Sequence, residues 1–416
     1  MNMDSEIKIR RKEADEIKKL KGWILIYGRR KVGKTFLIKN FLDWNYYFTV
    51  KKDGKIAVEN YPIKEIENAK DFVGIVSNML KQDSTVVIDE FQRLPSSTIE
   101  EIAMNHPNGK IIFSGSSFRI IKKIMKEKSP LLGLVLQYKM TMIRSKDIIH
   151  GMSNYYDSIT TIELCPFFRD AWTLSFLQPK IENTTEMLYY LLSYSKLTIP
   201  ALIGEIFTEE DRSLSKVYEA ILMTIGAGVW DYKELANILY GRSVISKADS
   251  SIVLPYIKNL EEMGLIEALP LFQSKKKMYK LTSPAMEAFF YLCDRYNFDE
   301  RDASLSEVKP TLERVKSLAI QNFIADFYAE HLNGRKEYYV TPEKEIDFII
   351  TERRKPILVG EVKWGEYTQE DIKKFVEKTK HLRCKKVFVV KKKLRSKSEE
   401  VEIVDAEDLL RLAKKD

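Results

Sequence analysis

Short apolar runs alternate with stretches of helical periodicity over the first half of the chain. Trp23-Ile24-Leu25-Ile26-Tyr27, Tyr46–Val50, Thr85–Ile88, Lys110–Phe113 and Thr160–Leu164 read as strands, rich in β-branched and aromatic residues. Helices are expected between them, for instance at Lys34–Leu42 and Asp71–Lys81. Strands that are apolar throughout and separated by helices predict a parallel sheet covered on both faces. From 166 to 208 the pattern turns helical (FFRDAWTLSFL, TTEMLYYLLSYS, PALIGEIF), as a small lid appended to the sheet would. The first expected segment is therefore 1–208.

A second segment, 209–296, carries helical patterns at Leu214–Ile225, Tyr232–Leu239 and Ser250–Met263, the last stopped by Gly264. Strands Leu265–Leu271 and Met278–Leu281 follow, with Lys275-Lys276-Lys277 at the turn. Three helices and a two-stranded wing are the order of a winged helix-turn-helix. The polar stretch Asn297–Ser306 reads as a linker. The third segment, 300–416, opens with a helix at Leu312–His331. Strands are expected at Glu337–Val340, Ile346–Ile350, Ile357–Val362 and Lys386–Val390, with a helix at Gln369–Thr379.

Composition narrows the function classes. The 416 residues allow about two to four domains, and 44% hydrophobic residues are too many for a disordered chain. No run approaches about 18 apolar residues, so a membrane partner is not expected. The charged N-terminus lacks the apolar run of a secretory signal. Cys165, Cys293 and Cys384 lie far apart, which argues against a disulfide framework or zinc knuckle and points to a reducing cytoplasm. The net charge, 68 − 60 = +8, permits nucleic-acid binding without requiring it.

The sharpest motif is Gly28-Arg29-Arg30-Lys31-Val32-Gly33-Lys34-Thr35, which fits GxxxxGK[ST] at every fixed position. Such a loop wraps a phosphate with backbone N–H groups, and side chains at the Gly positions would crowd it. Lys34 is placed to reach the β- and γ-phosphates, and Thr35 to bind Mg²⁺ at the start of a helix whose positive end faces the anion. Downstream, Thr85-Val86-Val87-Ile88-Asp89-Glu90 is an apolar strand ending in two acids, the Walker B pattern. Asp89 is expected to hold Mg²⁺ through water, and Glu90 to polarise the attacking water. The strand Lys110–Phe113 leads to Ser114-Gly115-Ser116-Ser117, where Ser116 is the candidate sensor of the γ-phosphate.

GRRKVGKT, VVIDEFQRLP and IIFSGSSF, in that order, resemble the archaeal ATPase family, P-loop proteins of the AAA+-related STAND class. The resemblance implies a P-loop NTPase sheet with a helical lid, ATP and Mg²⁺ as cofactors, and ATP hydrolysis used as a switch. RRKEADEIKKL is similar to that family's opening arginine–glutamate box, with spacing off by one, which implies nucleotide contact for Arg11. The family often has a small-residue–Pro helix start in the lid, for which Ile199-Pro200 is the candidate here. Where most members carry Arg after a Gly, this chain has Leu134 after Gly133 and extra residues at about 134–156; Arg144 is the candidate substitute.

The helix of the winged segment expected to read DNA offers only Lys247 and Lys258 against Asp249, Glu261 and Glu262. Contact through Lys275–Lys277 to phosphates, or a relay role without DNA, both remain open. In the third segment, Glu345–Ile350 and Ile357–Trp364 read as a hairpin turning near residue 354. Antiparallel pairing then sets Asp347 opposite Glu361, about 5 Å apart between Cα atoms, with Lys363 on Glu361's face. Two carboxylates can hold Mg²⁺ at a phosphodiester while the lysine positions water.

This arrangement, EIDFII…GEVKW, resembles the PD-(D/E)xK nuclease fold, an α/β restriction-endonuclease-like domain that archaeal ATPases often carry. The resemblance implies catalytic roles for Asp347, Glu361 and Lys363, metal at the two acids, and DNA as partner. Members commonly place a Glu on the preceding helix; here that position is Gln321. The expectation is a Mg²⁺-dependent ATPase switch with a DNA-associated, nuclease-like output. The alternative is an ATP-regulated DNA-binding protein whose C-terminal domain is inert. Oligomerisation stays open.

Overall fold

A computed structural model describes residues 7–415 except 105–107, 117, 119–120, 123–124, 126–128, 130, 179, 211, 341–344 and 395–399. The chain forms two compact units: Arg10–Met142 with Ala201–Ser213, and Ile143–Pro200 with Leu214–Asp416 and the segment ending at Ile9. One of the points at which the chain passes from one to the other falls inside helix Thr198–Glu209. Among the described residues no helix is long and apolar enough to cross a membrane.

In the first unit, strands β1 (Trp23–Tyr27), β2 (Tyr46–Val50), β3 (Ile56–Glu59), β4 (Glu65–Ile66), β5 (Thr85–Asp89), β6 (Lys110–Gly115) and β7 (Val135–Lys139) form one sheet, ordered β4-β3-β2-β5-β6-β1-β7. The run from β2 to β7 is parallel, as the apolar strands predict; β3 and β4 add an antiparallel edge that the pattern did not announce. Alternation sends Trp23, Leu25, Val86, Ile88, Ile111 and Phe113 into a core shared with helices Ala69–Lys81 and Ser96–Met104. Ile24, Ile26, Val87 and Ile112 enter the opposite core, with Ala14, Ile17, Leu37 and Ile38. Both faces are thus buried, which is why these strands carry no polar alternation.

β6 lies between β1 and β5, with Ser114 in register with both Ile26 and Asp89. The loop after β1 and the acids after β5 are therefore two strands apart, on the C-terminal edge where parallel strands deliver their side chains. The residues beyond Gly133 contain edge strand β7 and helix Ser145–Met152.

One expected strand is a helix. Thr160–Leu164 lies inside helix Ser158–Phe168, whose N-cap Asp157 accepts hydrogen bonds from the backbone N–H of Ile159 and Thr160. Residues 161–168 are all buried, so the helix has no polar face and its period is hidden. Within it, buried Glu163 meets Lys391 at 2.7 Å, Lys316 at 3.3 Å and Trp364 Nε1 at 3.1 Å. These contacts belong wholly to the second unit.

That unit also holds helices Lys216–Gly226, Tyr232–Gly241 and Ser250–Glu262, then an antiparallel pair, β8 (Ile266–Pro270) and β9 (Lys277–Leu281). Helix Pro284–Tyr296 and the long helix Leu305–His331 follow. The last sheet is ordered β10 (Arg335–Val340), β11 (Glu345–Glu352), β12 (Lys355–Lys363), β13 (Lys385–Val390) and β14 (Glu402–Val404). β10 to β12 are antiparallel, β12 to β14 parallel, with helix Gln369–Thr379 as the crossover. The turn between β11 and β12 falls at Arg353-Arg354, both at positive φ, as a two-residue hairpin turn requires.

Candidate nucleotide site and carboxylate hairpin

The loop between β1 and helix Lys34–Phe41 is packed too closely for a side chain at its first glycine. A Cβ on Gly28 would sit 2.1 Å from the Met140 carbonyl oxygen, and Gly33 turns into the helix at φ 96°. Lys34 is buried and donates to the carbonyls of Gly28 and Arg29 at 2.9 and 3.1 Å. Burial pulls its ammonium down to about 8, against the opposing pull of Glu90 and Asp89. A cation desolvated this far gains most from an incoming polyanion.

Thr35 and Asp89, 54 residues apart, meet directly: Thr35 Oγ1 donates to Asp89 Oδ2 at 2.7 Å. The Tyr47 hydroxyl donates to the same oxygen at 2.7 Å. Burial, then Asp89, raises the Tyr47 phenol far above its usual range, so it serves as a donor. This is an oxygen donor set of the kind Mg²⁺ takes, one hydroxyl and one carboxylate, beside a buried lysine.

Glu90 sits at positive φ (57°), turning its carboxylate out of the strand line. It accepts from Gln92 Nε2 at 2.7 Å and from buried Ser116 Oγ at 3.3 Å, and pairs with Arg93 at 3.3 Å. Ser116 thus touches the acid at the end of β5; Ser117 lies outside the described residues. Arg11 is buried and donates to the carbonyls of Val32 (2.7 Å), Thr141 (2.9 Å) and Met142 (3.3 Å), with Glu13 at 2.6 Å. Its guanidinium braces the loop backbone. Arg29 is buried; Arg30 pairs with Glu205 at 2.6 Å and with Glu209. Lys31 supplies a positive φ (64°), and Val32 anchors the loop in the core.

Sequence reasoning missed Tyr47, Gln92, Arg93 and Glu209. For Gln92 and Arg93 a signal existed, since FQR directly follows Asp89-Glu90. Glu209 is far away in sequence and carried none.

At the second candidate site, the register Phe348↔Gly360 and Ile349↔Val359 continues to set Asp347 opposite Glu361. Asp347 Oδ2 accepts from the Val362 backbone N–H at 2.7 Å. Burial, then Glu361, pushes the Asp347 carboxyl up to about 7. Glu361, Lys363, Asp371, Lys374 and Lys378 line a cavity of roughly 210 Å³. The cation on Glu361 is Lys378, at 2.7 Å, whereas Lys363 is half exposed and lies 3.9 Å from Asp371. Gln321 is half-buried on the long helix. Among the described residues, no three His, Cys, Asp or Glu side chains gather as a metal group.

Lys275, Lys276 and Lys277 are exposed around the β8–β9 turn. Asp249 is committed to capping helix Ser250–Glu262, accepting from Ser251 N–H at 2.8 Å.

Residues 20–148 match a family described as an AAA domain, a span that takes in the glycine loop, Asp89, Glu90 and Ser116. Over its greater length the chain is similar to an uncharacterized protein of Methanocaldococcus jannaschii, 26% identical over 399 residues and covering 85% of each. Among solved structures it resembles the ORC2 protein of Aeropyrum pernix in its ADPNP–ADP complexes, at 12% identity and TM-score 0.40, covering 78% of this chain and 98% of that one. It also resembles a STAND ATPase with a tetratricopeptide repeat sensor from Pyrococcus horikoshii, at 15% identity and TM-score 0.30, covering 77% of this chain and 48% of that one. The chain is thus similar, through residues 20–148, to AAA-type ATPase domains.

Proposed function

We propose that the chain is a Mg²⁺-dependent ATP-binding and hydrolysing switch whose nucleotide state governs a DNA-associated C-terminal part. The observation that carries this reading is the meeting of Thr35 with Asp89 beside buried Lys34 at the glycine loop. Backbone N–H groups of Gly28–Gly33 cradle the phosphates, Lys34 neutralises them, and Thr35 and Asp89 hold the metal. Mg²⁺, when bound, supplies positive charge to the phosphate oxygens. Glu90 orients and polarises the attacking water, and Gln92, Arg93 and Ser116 hold Glu90 in place. Arg11 supports the loop through Val32. Nucleotide affinity and turnover, measured separately for Lys34→Ala and Glu90→Gln, test these roles.

The finer reading extends to the other unit. Helices Lys216–Gly226, Tyr232–Gly241 and Ser250–Glu262 with the β8–β9 pair act as a winged helix, and Lys275–Lys277 touch DNA phosphates. Asp347 and Glu361 would hold a Mg²⁺ that supplies positive charge to a phosphodiester, and Lys363 would position the water. A second reading is favoured by Lys378, which already neutralises Glu361: an ATP-regulated DNA-binding protein with an inert nuclease-like hairpin. Gel shifts with and without ATP, beside plasmid nicking in Mg²⁺ and Mn²⁺, separate the two. Binding without nicking selects the second.

A further inference from the structure

Beside the glycine loop, a cavity of about 510 Å³ is lined by Arg30, Lys52, Gln92, Arg93, Glu205, Thr208 and Glu209. Its three cations come from the segments that follow the strands: Arg30 is inside the glycine loop, Lys52 follows β2, and Arg93 lies three residues after Glu90. The carboxylates come from the end of helix Thr198–Glu209. Glu209 is largely buried, and its Oε1 serves two guanidiniums at once, Arg30 and, at 3.7 Å, Arg93. Its Oε2 is buried and finds no hydrogen-bond partner among the described residues. Arg93 in turn pairs with Glu90 and donates to the Val50 carbonyl at 2.8 Å.

A single carboxylate with one idle oxygen is a poor match for two guanidiniums. A terminal phosphate, with about two negative charges and three acceptor oxygens, is a better one. Arg30 belongs to the glycine loop and Arg93 pairs with Glu90, the acid proposed to act on water, so both guanidiniums border the pole of the site to which the proposed mechanism assigns the terminal phosphate. We propose that Glu209 is a gate on this pole of the site: it holds Arg30 and Arg93 until a nucleoside triphosphate, but not a diphosphate, takes them from it. The inference rests on the reading of Gly28–Thr35 as an ATP site. Competition of this kind is a coupling between helix end and ligand, so each weakens the other's hold by the same factor.

The test is the ratio of ATP to ADP affinity, read with fluorescent nucleotides on the full chain. Glu209→Gln keeps the shape and drops the charge; it should tighten ATP binding about tenfold, within the usual range for such couplings, and leave ADP within about twofold. Glu205→Gln, which removes one of Arg30's two acids and leaves Glu209 on both guanidiniums, should do less. Combined with Arg30→Ala and Arg93→Ala, Glu209→Gln should no longer alter the ratio. Glu209→Asp, a charge-keeping change, should stay near wild type and guards against a folding defect. An unchanged ratio in Glu209→Gln, or equal changes for ATP and ADP, overturns the gate while leaving the ATP site standing. Wild type that binds neither nucleotide overturns the site itself, and the gate with it.

Discussion

The two candidate sites hold their acids in opposite ways. At the glycine loop, Asp89 receives hydrogen bonds from neutral hydroxyls, Thr35 and Tyr47, so its negative charge stays available to a cation. At the hairpin, Glu361 is already paired with Lys378, and Asp347 is pushed toward its neutral form. The first arrangement leaves a carboxylate and a hydroxyl for a cation, which is what the proposed ATP site needs. The second has balanced its own charge internally, and a divalent ion there must displace a lysine and a proton. A motif of the right residue types is therefore not yet a site; what the neighbouring side chains do with the charge decides it.

The largest expected effects lie at the first site and would break the comparison if absent. Lys34→Ala should abolish ATP binding, because the lysine acts on the bound phosphates. Glu90→Gln should keep affinity within a few-fold and lower turnover by about 10²–10⁴, the usual worth of a group acting on the water's proton. Titration and phosphate release measure the two separately. Equal loss of affinity in both variants would sink the role assignment.

At the hairpin the comparison predicts weaker, conditional effects. If wild type takes up Mn²⁺, Asp347→Asn and Glu361→Gln should each cost about tenfold or more in affinity, since hard cations need anionic oxygens. Lys378→Ala should raise it by releasing Glu361, and Gln321→Glu should raise it by supplying a third acid. Lys363→Ala should leave Mn²⁺ binding intact and remove nicking. No uptake by wild type would mark the hairpin as metal-free.

How legible all this was in the sequence follows from how local each feature is. The glycine loop depends on eight consecutive residues, and β1, β5 and β6 announce themselves because burial on both faces removes polar positions. The hairpin and its turn near residue 354 were legible, but counting from the turn at Arg353-Arg354, where Glu352 faces Lys355, would set Asp347 opposite Gly360. An irregularity between Ile350 and Thr351 shifts the register by one and turns Asp347 toward Glu361, which no arithmetic on the sequence foresees. Helix Ser158–Phe168 was misread as a strand for the converse reason: burial on every side erased its period, and Glu163 is held inside by partners more than 150 positions away, Lys316 and Lys391. Lys378 and Glu209 were invisible because each meets its partner only through tertiary packing.

A smaller effect concerns acidity. Asp347's carboxyl titrates near 7 in the folded chain, through burial first and Glu361 second, against about 3.9 when unfolded. The folded state therefore keeps a proton that the unfolded state has lost. The stability this brings is complete below about pH 4 and is lost as pH rises through about 7. Asp347→Asn should flatten that slope: urea midpoints should coincide with wild type near pH 4 and exceed it near pH 8. Mg²⁺ should narrow the gap at pH 8 if the hairpin holds the ion. Parallel curves across the whole range would show that Asp347 is an ordinary carboxylate.

The smallest effect is expected at the exposed turn between β8 and β9, where Lys275, Lys276 and Lys277 carry charge with no structural duty assigned to them. Replacing all three by Ala should leave the fold intact and flatten the salt dependence of DNA binding. Each phosphate neutralised contributes about 0.9 to the slope of log affinity against log salt, so the change is at most about three units. Preference among sequences should hardly move, because phosphate contacts position a protein without reading bases. An unchanged slope would remove DNA from this face. The winged segment would then keep only the relay role, without phosphate contact at its β8–β9 turn.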